Sequence, residues 1–485
     1  MSEQVQKPKS SYKKLFSNTI IFAIGQFSSK ILVLLLVPIY TYAMTDAEFG
    51  ITDVIIQIAN WLVPVVSLSV AEAITRYGLD KDYDKASVFT IGNIANIGGL
   101  ILLGIIVPLV SGTSFVHKFI DNYSLLLYIY VATSSLKLLY SYFVRALEMI
   151  KLYAFCSIFT TLSTLIFTVL FLIIFKIGVT GYLLAIIISD FASIIFLMCT
   201  ARLWRFISLK KPNKSLAKQM LKYCVPLIPA QLLWLITNSS DSFLTTYYLG
   251  KGRNGILTAS YKIPNIVSTI YMIFGMAWNM SAITEKDSGE QERFYTNVFD
   301  SNQSVLYIVS AFILLLVTPV TNIWIGPAFR ESINYAPILI FATIFTCYVT
   351  FFGTIYSVAQ KSVRSLVTSL IAGVINVLIN ITLLPVIGLY AAAISTLASY
   401  LTVFIIRAID TQKYQHFDLG IKKLVTNGIL LTLMMLANYI GRIYIKYTLL
   451  IILFMIVFLL NYKCLFKVAK TVLPAKVLRF LPFIK

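Results

Sequence analysis

Charge is scarce in this chain. Asp, Glu, Lys and Arg make up only 12% of its 485 residues, about half the share of an ordinary soluble domain, which excludes a water-soluble enzyme. Histidine occurs twice, at His117 and His416, and the five cysteines (Cys156, Cys199, Cys224, Cys347 and Cys464) show no CxxC or metal-ligand spacing, so neither a zinc site nor a disulfide framework is expected. The cysteines read as buried thiols. No nucleophile stands beside a base in any recognisable pattern, so no catalytic residue, metal or cofactor is predicted. Carboxylates are few as well, 20 against 40 Lys and Arg, giving a net charge of +20. Such a balance could serve nucleic acid, but the basic residues flank apolar runs instead of clustering on one exposed face, and no nucleic-acid partner is expected.

Apolar sequence is what the chain has in abundance, with 58% hydrophobic residues, 14% aromatics and a mean hydropathy of +0.84. A spanning helix uses about 20 apolar residues, and runs bounded by charge, Gly or Pro divide the chain into fourteen such segments. The fold class is therefore an all-α polytopic membrane protein. The reading gives a tail over 1–14, spans 1–6 over 15–204, a basic linker over 205–221, spans 7–12 over 222–409, spans 13 and 14 over 424–466, and a basic tail over 467–485. Span 2 is placed at 50–77, span 7 at 222–249 and span 8 at 255–283. Most Lys and Arg fall in the tails and even-numbered connections, which places both termini on the cytoplasmic side. The basic cluster from Arg202 to Lys222 then serves as an anchor and linker between halves.

Two internal correspondences point to a duplication. At an offset of 205, Gly50-Ile51 falls on Gly255-Ile256, and at 210, Ile177-Gly178 falls on Ile387-Gly388. Two six-helix lobes with two appended helices follow, an organisation shared by transporters that bind near the bilayer midplane. Polar residues inside spans are costly there and face a bundle interior or a wet cavity. Span 1 aligns Gln26, Ser29 and Lys30; span 2 aligns Asp53, Gln57 and Asn60; span 8 aligns Thr258, Lys262 and Asn265. Span 4 adds Lys137. For Lys137 and Lys262 the pattern leaves two roles open, contact with an anionic ligand or a structural bridge to Asp190 and Asp241 respectively.

The segments FAIGQFSSKILVLLLVPIYTYAMTDAEFG, Phe22 to Gly50, and YCVPLIPAQLLWLITNSSDSFLTTYYLG, Tyr223 to Gly250, resemble the polysaccharide transporter, or oligosaccharide flippase, family of the multidrug/oligosaccharidyl-lipid/polysaccharide superfamily. Length and span count agree with that resemblance. It implies a V of two lobes that moves undecaprenyl-diphosphate-linked oligosaccharide to the outer leaflet for surface polysaccharide assembly, with polymerase and glycosyltransferase partners. It also implies cavity roles for basic residues of spans 1 and 8, here Lys30 and Lys262, and a lipid-tail groove at spans 13 and 14.

These readings combine into one expectation. Ammonium groups of Lys30, Lys262 and Lys137 replace the hydration of a diphosphate that cannot cross hydrocarbon unaided, while Gln26, Ser29, Gln57, Asn60 and Asn265 meet sugar hydroxyls. Asp241 and Asp190 are coupling residues or structural ion pairs. The alternatives are a cation-coupled multidrug antiporter of the same superfamily and a membrane polysaccharide polymerase; the latter is disfavoured by outer loops too short to hold an acceptor.

Overall fold

A computed structural model describes residues 28–80, 82–113, 118–120, 122–207, 213–284 and 291–472; Gln26 and His117 lie outside them. Among the described residues there is helix and no strand. In chain order the helices are α1 Ser28–Ala43, α2 Asp46–Val66, α3 Val70–Leu79, α4 Lys85–Ser111, α5 Ser124–Ala146, α6 Ile150–Ile174, α7 Gly178–Ala201, α8 Lys214–Cys224 and α9 Leu227–Leu249. They continue as α10 Lys251–Ser260, α11 Pro264–Thr284, α12 Gln291–Trp324, α13 Ala336–Val358, α14 Ser362–Ile387, α15 Leu389–Asp410, α16 Ile421–Ala437 and α17 Ile443–Val472. Ten of the described helices are long and apolar enough to cross a membrane, which makes this a multi-pass membrane protein. The other four expected spans overlap α1, α9, α11 and α16, which are not among those ten. α16 has 17 residues, while span 8 is divided between α10 and α11 by a turn at Tyr261–Ile263.

Both repeat marks reappear in the backbone. α2 begins at Asp46 and α10 at Lys251, the same offset of 205 as between Gly50 and Gly255. Gly178 and Gly388, which open α7 and α15, both have left-handed φ values, +51° and +62°, a region that glycine enters without the steric cost a Cβ imposes.

The chain packs as two compact units, one holding residues through Ser239 together with Gly250–Gly255, the other Ser240–Leu249 together with everything from Ile256. The side chains explain why the first unit reaches past the basic linker. Trp61 Nε1 donates to Ser239 Oγ at 3.0 Å, Ser69 Oγ donates to Gln231 Oε1 at 3.1 Å, and Asn254 Nδ2 donates to the Gly50 carbonyl at 3.0 Å. In hydrocarbon, apolar burial gives helices no solvent-driven attraction, so close packing and such polar contacts hold them together. The core of the first unit gathers Phe89, Phe143, Leu197 and Met220 from α4, α5, α7 and α8.

The second unit is built around aromatic stacking, with the Trp278 ring parallel to Phe351 at 4.3 Å. Polar contacts fasten its last two helices. Lys423 Nζ bonds Asp300 Oδ1 at 2.5 Å, and Asn461 Nδ2 donates to Asn427 Oδ1 at 2.7 Å. Arg407 is 3% exposed and ties α15 to its neighbours through the Val349 carbonyl at 2.7 Å and Thr368 Oγ1 at 2.9 Å. Of the cysteines expected to be buried, Cys156, Cys224 and Cys347 are, whereas Cys199 is exposed near the end of α7. A thiol is apolar enough to face lipid, so burial does not follow from its place in an apolar run.

Candidate functional site

The wall of the site begins with a break that the apolar pattern does not announce. A continuous span over 50–77 was expected, but α2 ends at Val66 and α3 starts at Val70. Pro64 lies in the last turn of α2 and has no N–H to donate. Ser67 Oγ donates back to the Val63 carbonyl at 2.7 Å, and the Ser69 N–H turns to the Pro64 carbonyl at 2.9 Å. Leu68 and Ser69 then adopt φ values of 49° and 52°. Such strain in residues other than glycine persists only where the surroundings impose it.

Beside this break the first unit forms an open cavity of about 650 Å³. Asn60, Ser67, Ser69 and Glu72 line it from α2, α3 and the break between them; Tyr130, Ser134, Lys137 and Tyr142 line it from α5; and Gln231 lines it from α9. The wall thus carries one ammonium, one carboxylate and several hydroxyl and amide groups. Lys137 reaches the far side of that wall: its Nζ lies 2.5 Å from Asp190 Oδ1, and Ser134 Oγ donates to the other oxygen at 2.5 Å. Asp190 is 1% exposed, whereas the Lys137 side chain keeps 28% of its surface open. Of the two roles left open for Lys137, the bridge is present, and the same side chain also faces the cavity.

The second unit holds a different arrangement. Asp241, for which Lys262 was the sequence-based partner, is buried among neutral donors. Tyr261 Oη and Thr396 Oγ1 donate to Oδ2 at 2.7 and 2.8 Å, and Asn376 Nδ2 and Asn380 Nδ2 donate to Oδ1 at 3.0 and 2.6 Å. Hydrogen bonds to a charged acceptor are worth about 1.5–3 kcal/mol each in favourable cases, so this cage stabilises a carboxylate with no cation among these donors. Asp241→Asn places an amide N–H against hydroxyl and amide donors, and a loss of about 1–3 kcal/mol is expected, read as a lower melting temperature of the detergent-solubilised protein. An unchanged melting temperature contradicts the cage. Among the described residues no group of three or more His, Cys, Asp or Glu gathers as a metal site.

The structure brings Asn60 and Lys137 to one cavity, with Asp190 behind Lys137. Gln57 is half-buried on α2, Lys30 is exposed on α1, and Ser29 is half-buried beside it with a hydroxyl that has no hydrogen-bond partner among the described residues. Lys262 is half-buried in the turn between α10 and α11, and Asn265 is exposed just beyond it. The residues that sequence reasoning missed are Ser67 and Ser69, which the helix break turns toward the cavity, and the cage around Asp241. Asn376 and Asn380, four residues apart within the apolar α14, were the available signal for that cage.

The fold defines a class, the multi-pass helical membrane proteins. The chain is similar in fold to a solved lipid II flippase, MurJ in an inward closed conformation, with a TM-score of 0.69 and 15% identity over 92% of this chain and 99% of that one. It is also similar to an inward-facing multidrug resistance MATE family transporter of the MOP superfamily, with a TM-score of 0.61 and 14% identity over 81% of this chain and 95% of that one. No curated protein sequence matches. Residues 15–279 match the model of a family described as polysaccharide biosynthesis protein. That match covers more than half of the chain, which belongs to this family.

Proposed function

We propose that this protein is a flippase that carries undecaprenyl-diphosphate-linked oligosaccharide units from the inner to the outer leaflet of the bacterial plasma membrane by alternating access, for assembly of a surface polysaccharide. The observation that carries the proposal is Lys137, a cation on the wall of a cavity of mixed polar and apolar lining within a membrane-embedded unit. A diphosphate needs such a counter-charge to leave water, and the amide and hydroxyl groups of Asn60, Ser67 and Gln231 suit sugar hydroxyls without selecting one stereochemistry. Family membership and the similarity to a lipid II flippase support the substrate class. In this reading the chain crosses fourteen times as two six-helix lobes with two further helices, both termini are cytoplasmic, and Lys30 and Lys262 add to the cationic path. Polymerases and glycosyltransferases of polysaccharide assembly are its working partners, and the reaction is transport without catalysis.

Asp241 is the proposed coupling residue. A bound ion would need the hydroxyls of Tyr261 and Thr396 to turn their oxygens toward it, and one carboxylate with such neutral oxygens suits a monovalent cation better than a divalent ion, which favours more carboxylate ligands. The same cage favours the second reading, a cation-coupled antiporter. Reconstitution of the purified protein into vesicles with labelled lipid-linked oligosaccharide on one leaflet separates the two: the flippase reading expects label on the opposite leaflet at a rate well above protein-free vesicles. No acceleration, together with dye efflux driven by a cation gradient, overturns it in favour of the antiporter.

A further inference from the structure

Asp190 is buried away from the cavity, yet it holds the cavity's ammonium. Its own exposure is 1% against 28% for the Lys137 side chain, and it is absent from the residues lining the open space. An anion entering the cavity therefore meets Lys137 while Lys137 is already engaged. We propose that Asp190 is an internal competitor for the transported anion, a carboxylate that withdraws Lys137 from the ligand and so sets how tightly the ligand is held and how fast it leaves. This rests on the reading that a diphosphate enters the cavity of the first unit.

Three features fit this role better than that of a plain bridge. First, a lysine is a compact point charge on a flexible stem and can exchange one oxygen partner for another with little reorganisation, unlike the fixed fork of arginine. Second, Asp190 keeps a holder when Lys137 leaves, because Ser134 donates to its other oxygen at 2.5 Å from the same face of α5. Third, the contrast with Arg407 is direct. That cation is buried together with its acceptors on α13 and α14, as a bolt between helices should be, whereas Lys137 leaves one flank in the cavity.

Competition has a defined arithmetic. The apparent affinity for a ligand falls by the fraction of time its binding group is available, so a pair closed for about 90–99% of the time lowers affinity about 10- to 100-fold. A transporter gains from such a device because a diphosphate clasped too tightly is not released on the far side.

The test uses the full-length protein in detergent and farnesyl diphosphate as a short prenyl diphosphate probe, with binding measured by calorimetry and release by rapid dilution. Asp190→Asn is expected to bind at least about tenfold more tightly, to release more slowly and to transport more slowly. Lys137→Ala is expected to bind more weakly, and Lys137→Ala/Asp190→Asn to match Lys137→Ala, because the carboxylate acts through the ammonium. A merely structural bridge gives the opposite sign: Asp190→Asn then weakens binding. Equal or weaker binding by a folded Asp190→Asn, with Lys137→Ala still impaired, overturns the competition and leaves the cavity reading intact. Absence of probe binding by the unmodified protein overturns both. If Asp190→Asn does not fold, Ser134→Ala decides: it leaves the carboxylate to Lys137 alone and is expected to bind several-fold more weakly, and unchanged or tighter binding overturns the inference.

Discussion

Lys137→Ala is expected to abolish transport of lipid-linked oligosaccharide and to destabilise the protein at the same time. Removing one partner of a buried ion pair leaves the other charge without compensation, at a cost of about 3–5 kcal/mol. Asp190 is the partner left behind, and it is almost fully buried. The lower end of that range applies, because Ser134 still donates to the carboxylate and the cavity beside Lys137 admits water. The two effects separate in the double variant Lys137→Met/Asp190→Leu. Replacing a buried pair by apolar groups of similar volume is often neutral or stabilising, so the melting temperature should return toward that of the unmodified protein while transport stays lost. Recovery of transport along with stability would show that the pair is only a bridge. Lys137→Arg, which keeps the charge but imposes a rigid fork, is expected to retain part of the activity.

Gly50→Ala and Gly255→Ala are expected to be about as damaging, through sterics alone. A Cβ at Gly50 would stand 1.9 Å from the Lys251 carbonyl oxygen and 2.8 Å from the Gly255 nitrogen; one at Gly255 would stand 1.9 Å from the Asp46 carbonyl oxygen and 3.1 Å from the Gly50 nitrogen. The contact is reciprocal, each glycine lying over the carbonyl four residues before the other. Backbones approach this closely in membranes only where small residues allow it, and Cα–H···O contacts accompany such crossings. A methyl group forces α2 and α10 apart and strains the 3.0 Å bond from Asn254 to the Gly50 carbonyl. Overpacking of this kind typically costs about 1–3 kcal/mol, and more where the clash is with backbone. The measurement is the melting temperature and yield of detergent-solubilised protein, compared with Gly98→Ala and Gly428→Ala. A Cβ at those two positions meets nothing within 4 Å, and helix propensity favours alanine there by about 0.5–1 kcal/mol. The double variant Gly50→Ala/Gly255→Ala should cost less than the sum of its parts, because helices already parted for one methyl accommodate the second. Full stability of either single variant would contradict the crossing.

The offset of 205 was legible in the sequence, and the starts of α2 and α10 obey it to the residue. That α2 and α10 touch at Gly50 and Gly255 was not legible, because an offset relates positions along the chain and says nothing of which equivalent positions meet. The pairing of Lys137 with Asp190 was one of two readings open to the sequence, since a charge of each sign on neighbouring spans permits a bridge without requiring it. The helix break at Ser67–Ser69 escaped, because Pro and Ser are tolerated inside membrane helices and hydropathy is blind to the two left-handed residues that turn the chain. For the same reason Ser67 and Ser69 were not recognised as cavity residues.

Composition and apolar periodicity alone determined that this chain is helical and that it crosses a membrane many times, because hydrocarbon accepts only segments whose backbone groups are satisfied internally. Tertiary structure decided which polar side chains share a cavity and which satisfy one another. A polar stripe fixes only that a helix face turns inward; helix rotation, the closeness of crossings and the position of a break choose its partner. Hence Asp241 is caged by residues far along the chain, while Lys137 is placed between a buried carboxylate and open space.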